Sequence, residues 1–309
     1  MLAEFVITPW HWAGFVVALL ILLALDLGVF HRSARQIRFR EALGWTAVWF
    51  MLAMGFAGLL FQFQSPEKAS LFVTGYIVEL SLSMDNVFVI AVIFRYFQVQ
   101  PTLQHRVLFW GIAGALLMRG LLICIGATLV HRYQWLLYPL GAFLVYTSLK
   151  MVITDNEGVE PERNPVIRLV RKFLPVSPNF EGQQFTTSWQ GRWALTPLAI
   201  VLLMVETTDL VFALDSIPAI FGITQDSFTI FTSNMFAILG LRSLYFVLAE
   251  AIDYFNYLKY GLATVLAFIG LKMIAGRWVT IETNTSLMVV AGIIGLSIAV
   301  SLIAAGRKK

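Results

Sequence analysis

Nine stretches dominated by apolar side chains, roughly 11–30, 42–62, 70–94, 107–129, 134–152, 193–221, 229–250, 259–275 and 282–305, alternate with shorter polar segments. Each is close to the roughly 20 residues that carry a helix across the hydrocarbon core of a bilayer. The pattern predicts an all-α integral membrane protein of about nine transmembrane helices. The first stretch should remain as a helix, because Met1 to Phe5 holds no basic residue, no small-x-small cleavage site follows, and Arg32 comes directly after it. The one long connection, 153–192, contains Pro161, Pro165, Pro175, Pro178 and mixed charge, and reads as a cytoplasmic linker.

Composition agrees with this reading: 59% of the 309 residues are hydrophobic, 13% are charged, and the mean hydropathy is +0.78. Soluble domains average about 45–50% apolar and about 25% charged, so a water-soluble fold is excluded. The single Cys124 excludes an intrachain disulfide framework, and four histidines without cysteine partners exclude a zinc finger. The net charge of +4 gains its meaning from where the charges fall. Fifteen of the 22 basic residues lie in the odd-numbered connections and at the C-terminus, three lie at the even connections, and four lie inside spans. Cytoplasmic loops are enriched in Lys and Arg, so the N-terminus is expected outside the inner (plasma) membrane and the C-terminus in the cytoplasm. The basic surplus is then a topology signal, and no nucleic acid is expected as a partner.

The chain also repeats itself. ELSLSMDNVF from Glu79 returns as DLVFALDSIP from Asp209; Leu117-Met118-Arg119 is answered by Gly240-Leu241-Arg242, and Ser148-Leu149-Lys150-Met151 by Gly270-Leu271-Lys272-Met273, in the same order. Each copy holds three spans, and an odd number of crossings turns the second copy upside down. Inverted repeats are a transporter architecture with the substrate site near the midplane. The expected division is 1–69, two helices with an Arg-rich cytoplasmic loop; 70–152, the first three-helix repeat; 153–192, the linker; 193–275, the inverted second repeat; and 276–309, a last helix and basic tail.

Charges inside these spans carry the candidate chemistry. Glu79, Asp85, Glu206, Asp209 and Asp215 are central, with Arg119 and Arg242; Asp26, Lys150 and Lys272 sit near span ends, where they can reach the interface, and are additional pathway candidates. A charge at a helix centre costs roughly 2.5–3.5 kcal/mol on insertion scales. The central groups carry a formal surplus of three negative charges, and two when the end residues are included, which calls for protons or a bound cation. Glu79 and Asp85, six residues apart, would lie about 9 Å along and about 120° around a regular helix. Either the helix is broken between them or they are separate stations; Pro218, three residues after Asp215, gives the second copy a reason to break. The expected layout is a central acidic site with Asp85 toward the cytoplasm and Asp215 toward the outside. Carboxylates, the Asn86 amide and the hydroxyls of Ser216, Thr207 and Thr208 are oxygen donors suited to Mg, Ca or Mn. Arg119 and Arg242 are expected to compensate charge when the ion leaves. No HExxH, P-loop or GxSxG occurs, so no enzyme is expected.

The segments DLGVFHR (26–32), ELSLSMDNVFVIAVIF (79–94) and ETTDLVFALDSIPAIFGIT (206–224) resemble the signatures of the TerC family of integral membrane proteins, and the length resembles its short, Alx-type members. The resemblance implies a link to tellurite resistance, to LysE-type exporters, to manganese efflux and to metal supply for exported enzymes. It implies Asp85, Asn86, Glu206, Asp209, Asp215 and Ser216 as cation-pathway residues and adds weight to Asp26. The expectation is a secondary transporter that exports Mn2+ or a similar divalent cation as substrate, with no cofactor and with proton coupling as an option. The alternative is a membrane protein that assists the secretion machinery, or metal loading of exported proteins, by docking partners through the linker.

Overall fold

A computed structural model describes residues 8–28, 39–153, 164–251, 258–276, 278 and 281–306. Its helices are α1 (Pro9–Gly28), α2 (Phe39–Phe63), α3 (Pro66–Tyr96), α4 (Pro101–Arg132), α5 (Leu137–Ile153), α6 (Pro165–Phe173), α7 (Pro197–Phe221), α8 (Ser227–Ala251), α9 (Leu258–Ala275) and α10 (Thr283–Gly306). Five of them open on a proline, whose missing N–H would have no partner there anyway. Side chains cap three of these starts: Ser65 Oγ accepts from Lys68 N at 3.2 Å, Thr196 Oγ1 from Ala199 N at 3.4 Å, and Asn164 Oδ1 from Val166 N at 3.0 Å.

Among the described residues seven helical segments are long and apolar enough to cross a membrane: α2, α3, α4, α7, α8, the Gln134–Ile153 segment that contains α5, and Thr283–Ser301 of α10. This is fewer than the nine read from the sequence. The described apolar part of α1, Pro9–Leu25, is shorter, and α9 has 18 residues. The polarity of the bundle is that of a protein in lipid. Apolar side chains such as Met51, Leu117 and Met288 face outward, whereas Glu79, Arg119, Asn86, Asn234 and several Ser and Thr side chains are buried inside.

Four helices make the centre. α3 packs on α8 and α7, α4 packs on α7 and α8, α2 covers α3 and α8, and α10 covers α3 and α9. Beside them α5 and α9 form the closest helix pair. They cross at glycines: a Cβ on Gly141 would lie 2.8 Å from the Gly270 carbonyl oxygen. Small residues at such a crossing let two backbones approach and gain dispersion contacts, which lipid does not otherwise drive.

Neither α3 nor α7 is broken. The break considered at Pro218 is absent, because Pro218 lies in the last turn of α7, where losing one N–H donor leaves the helix intact up to Phe221. The linker also departs from a plain coil. It contains α6 and the first strand of an antiparallel hairpin, β1 (Thr186–Trp189), whose second strand, β2 (Arg192–Leu195), takes up the start of the stretch read as 193–221; the strands join at Gln190 and Gly191, both with positive φ (51° and 73°), the geometry of a type I′ turn. Ile167 of α6 is buried in the main core, and Leu195 backbone groups bond Pro175 and Ser177. This unit sits on the ends of α3, α4 and α7: Arg106 Nη1 donates to Gln183 Oε1 at 3.3 Å and its guanidinium lies 5.2 Å from the Phe185 ring centre.

Candidate functional site

The buried charges meet where α3, α4, α7 and α8 converge. Arg119, on α4, is 1% exposed. Its Nε donates to Asp209 Oδ2 at 3.3 Å and its Nη2 to Asp209 Oδ1 at 2.8 Å, a forked contact. Its Nη1 pairs with Glu79 on α3 and donates to Asn234 Oδ1 on α8 at 3.5 Å. Asn86 Nδ2, two turns along α3 from Glu79, donates to Asp209 Oδ1 at 3.0 Å. One guanidinium thus joins an acid from each of the two similar motifs. Breaking such a buried pair by removing one partner typically costs about 3–5 kcal/mol, so these groups fix the relative positions of α3, α4 and α7.

A cavity adjoins the pair Asn86–Asp209, lined also by Ile112, Thr208, Phe212 and Leu241, with about 30 Å³ open to the centres of water-sized spheres. That is space for about two waters or for a small ion with part of its shell. Asn86 Oδ1, buried at this wall, has no hydrogen-bond partner. The lining reaches Ile90 on α3 and Leu108 on α4, so the cavity lies on the side of the Arg119 cluster that faces the linker.

The other candidates are spread along the same helices. Glu206, one turn before Asp209, is half-buried, has Asp209 as an electrostatic neighbour, and rests where α4 has Gly114, so that a Cβ on that glycine would overlap its carboxylate. Asp85 has Lys259 as its electrostatic neighbour, and Asp215 lies against the Thr147 hydroxyl with Lys150 in reach. Ser216 is buried and its Oγ lacks a partner. Arg242 is buried away from Asp209, with Nη1 3.4 Å from His105 Nε2, and Lys272 Nζ donates to Ser286 Oγ at 2.9 Å. The Asp26 side chain lies outside the described residues. Among the described residues no group of three or more His, Cys, Asp or Glu side chains is gathered to hold a metal ion. The structure therefore brings together Glu79, Asn86, Arg119 and Asp209, and keeps Asp85 and Asp215 apart with separate lysines.

Sequence reasoning missed Asn234, Thr147 and Lys259. A signal for the first existed: Thr232-Ser233-Asn234 is a polar run inside an otherwise apolar span. Lys259, at the edge of α9, reads as a loop charge. Asn164 was also missed; its Nδ2 donates to Thr207 Oγ1 at 3.0 Å, tying the start of α6 to the second acidic motif.

The family profile described as "Integral membrane protein TerC family" matches residues 64–309. The chain is 49% identical over 297 residues to the "Uncharacterized membrane protein STKORF319" of Myxococcus xanthus, covering 96% of this chain and 93% of that protein. It is 41% identical to the "Putative membrane-bound redox modulator Alx" of Salmonella typhi, with 95% and 94% coverage. The protein of the same name from Escherichia coli (strain K12) is 40% identical, with 93% and 92% coverage. No solved structure matches. With a profile match over most of its length and close full-length relatives, the chain belongs to the TerC family of integral membrane proteins.

Proposed function

We propose that the protein is a secondary transporter that exports manganese, or a similar divalent cation, from the cytoplasm by alternating access. The observation that carries this reading is the buried cluster of Glu79, Arg119 and Asp209 with Asn86, set against a mainly apolar cavity to which Asn86, Thr208 and Asp209 contribute the polar side chains. Buried ionisable groups at this depth are costly and mark ion paths. With Glu206 nearby, three acids face one arginine, and the formal surplus of two negative charges matches one divalent ion. Oxygen donors of this kind suit Mn, Mg or Ca.

The packing supports a pair of inverted repeats, 70–152 and 193–275, within nine spans. The contact of α3 with α8 is answered by that of α7 with α4, and α5 pairs with its counterpart α9. In this arrangement Asp85 with Lys259 and Asp215 with Lys150 are the outlying stations, one toward each face, with the N-terminus outside and the C-terminus in the cytoplasm of a bacterial inner membrane. The name of the Alx relatives speaks of redox modulation. One cysteine cannot form an intrachain dithiol couple, so a redox effect here would follow from the metal level.

The test is total cellular manganese, beside iron, zinc and magnesium, in cells expressing wild type, Asp85→Asn, Asp209→Asn or nothing, under external manganese load. Wild type alone should lower manganese. Equal metals in all strains, with a wild-type phenotype retained, would favour the second reading, a docking role for the linker. That reading draws on the exposed Leu169, Phe173 and Trp193 of the α6–hairpin unit.

A further inference from the structure

In the arrangement seen, the position a cation would take at Asp209 is already held by a cation of the protein. All three contacts of Asp209 with its neighbours come from donors: Arg119 Nε, Arg119 Nη2 and Asn86 Nδ2. At the same wall Asn86 Oδ1 is buried without a partner beside the cavity, an acceptor with nothing to accept from. Asn86 and Asp209 line the same cavity, so a metal ion there would lie beside both residues. It could take both oxygens of the Asp209 carboxylate only if the guanidinium let go.

Resting on the export reading above, we infer that Arg119 is a tethered counter-ion that exchanges with the transported cation at Asp209. The geometry gives it somewhere to stay. Nη1, which makes no contact with Asp209, is held by Glu79 and by Asn234 Oδ1, so the fork can release Asp209 while the side chain remains paired. Release uncovers Asp209 beside Asn86 and Thr208, which line the cavity with it, and leaves Glu206 as its electrostatic neighbour. Return of the guanidinium expels the ion and restores the buried Arg119–Asp209 pair. The exchange also selects by charge: a divalent ion replaces the lost positive charge and offsets Glu206 as well, whereas a monovalent ion leaves an uncompensated buried carboxylate, which low dielectric penalises.

The exchange makes a prediction opposite in sign to a purely structural role. The full-length protein in lipid nanodiscs is titrated with MnCl2 by equilibrium dialysis, and flux is measured in proteoliposomes, for wild type, Arg119→Gln, Arg119→Lys and Asp209→Asn. Arg119→Gln, lacking the competitor, should bind Mn2+ at least about tenfold tighter, the worth of one charge-assisted hydrogen bond, and should show a lower KM together with a lower maximal flux. Arg119→Lys, a point charge without the fork, should bind with intermediate affinity and still turn over. If wild type binds Mn2+ and Asp209→Asn does not, but neither arginine variant binds more tightly, the exchange is overturned and the export reading stands. If Arg119→Gln does not insert, Arg119→Lys decides, and an affinity at or below wild type overturns the inference. If wild type neither binds nor carries Mn2+, both readings fall.

Discussion

Gly141 and Gly270 meet backbone to backbone where α5 crosses α9: a Cβ on Gly270 would stand 2.7 Å from the Gly141 carbonyl oxygen, and one on Gly141 2.8 Å from that of Gly270. Backbone cannot swing aside as a side-chain tip can. Gly270→Ala should therefore push the helices apart and lower stability by about 1–3 kcal/mol, seen as a lower midpoint in thermal unfolding in detergent. Gly14→Ala, at a glycine with open space around it, is the control and should leave the midpoint unchanged.

Gly114→Ala should act differently, because the obstacle there is the end of the Glu206 side chain. The carboxylate can rotate away, so the fold should hold while the acid leaves its place beside Asp209. The expected outcome is an unchanged unfolding midpoint with at least about a tenfold loss of manganese flux, on the reading that Glu206 shares the ion, since about 1.4 kcal/mol is tenfold.

Asp209→Asn and Arg119→Gln should differ in stability in a way that charge counting predicts. The first leaves Glu79 and Arg119 as a neutral pair; the second leaves Glu79 and Asp209 buried without their cation. Arg119→Gln should cost about 3–5 kcal/mol and Asp209→Asn markedly less. Expression level and thermal unfolding of the purified variants check the order, and equal losses would contradict it.

Asn164→Ala removes two roles at once, the cap on α6 and the donor to Thr207. A loss of about 1–2 kcal/mol is expected, concentrated in the linker. Limited proteolysis should show faster cleavage between α5 and α7 with the membrane bundle still protected.

The membrane-spanning elements were legible because an apolar run of fixed length has one cheap solution in lipid: the run read as 70–94 is α3, Pro66–Tyr96, and that read as 107–129 is α4, Pro101–Arg132. The linker was not, since α6 has only nine residues and its burial rests on Ile167 meeting α7 from a distance in sequence. In the site, the acids could be named from their place in apolar runs. Which acid takes which partner depends on tertiary geometry: Arg119 and Arg242 occupy matching places in the repeat, yet one binds Glu79 and Asp209 and the other faces His105.

The pairing of Glu79 with Arg119 has a consequence for how the chain is made. Both residues belong to α3 and α4, which leave the ribosome about 90 residues before α7 is complete. The α3–α4 hairpin can thus enter the bilayer with Glu79 and its base already matched. Asp209 arrives later and finds a guanidinium waiting with its fork unoccupied. The order of synthesis follows the order in which these charges need company, so no step of assembly has to leave Asp209 alone in hydrocarbon.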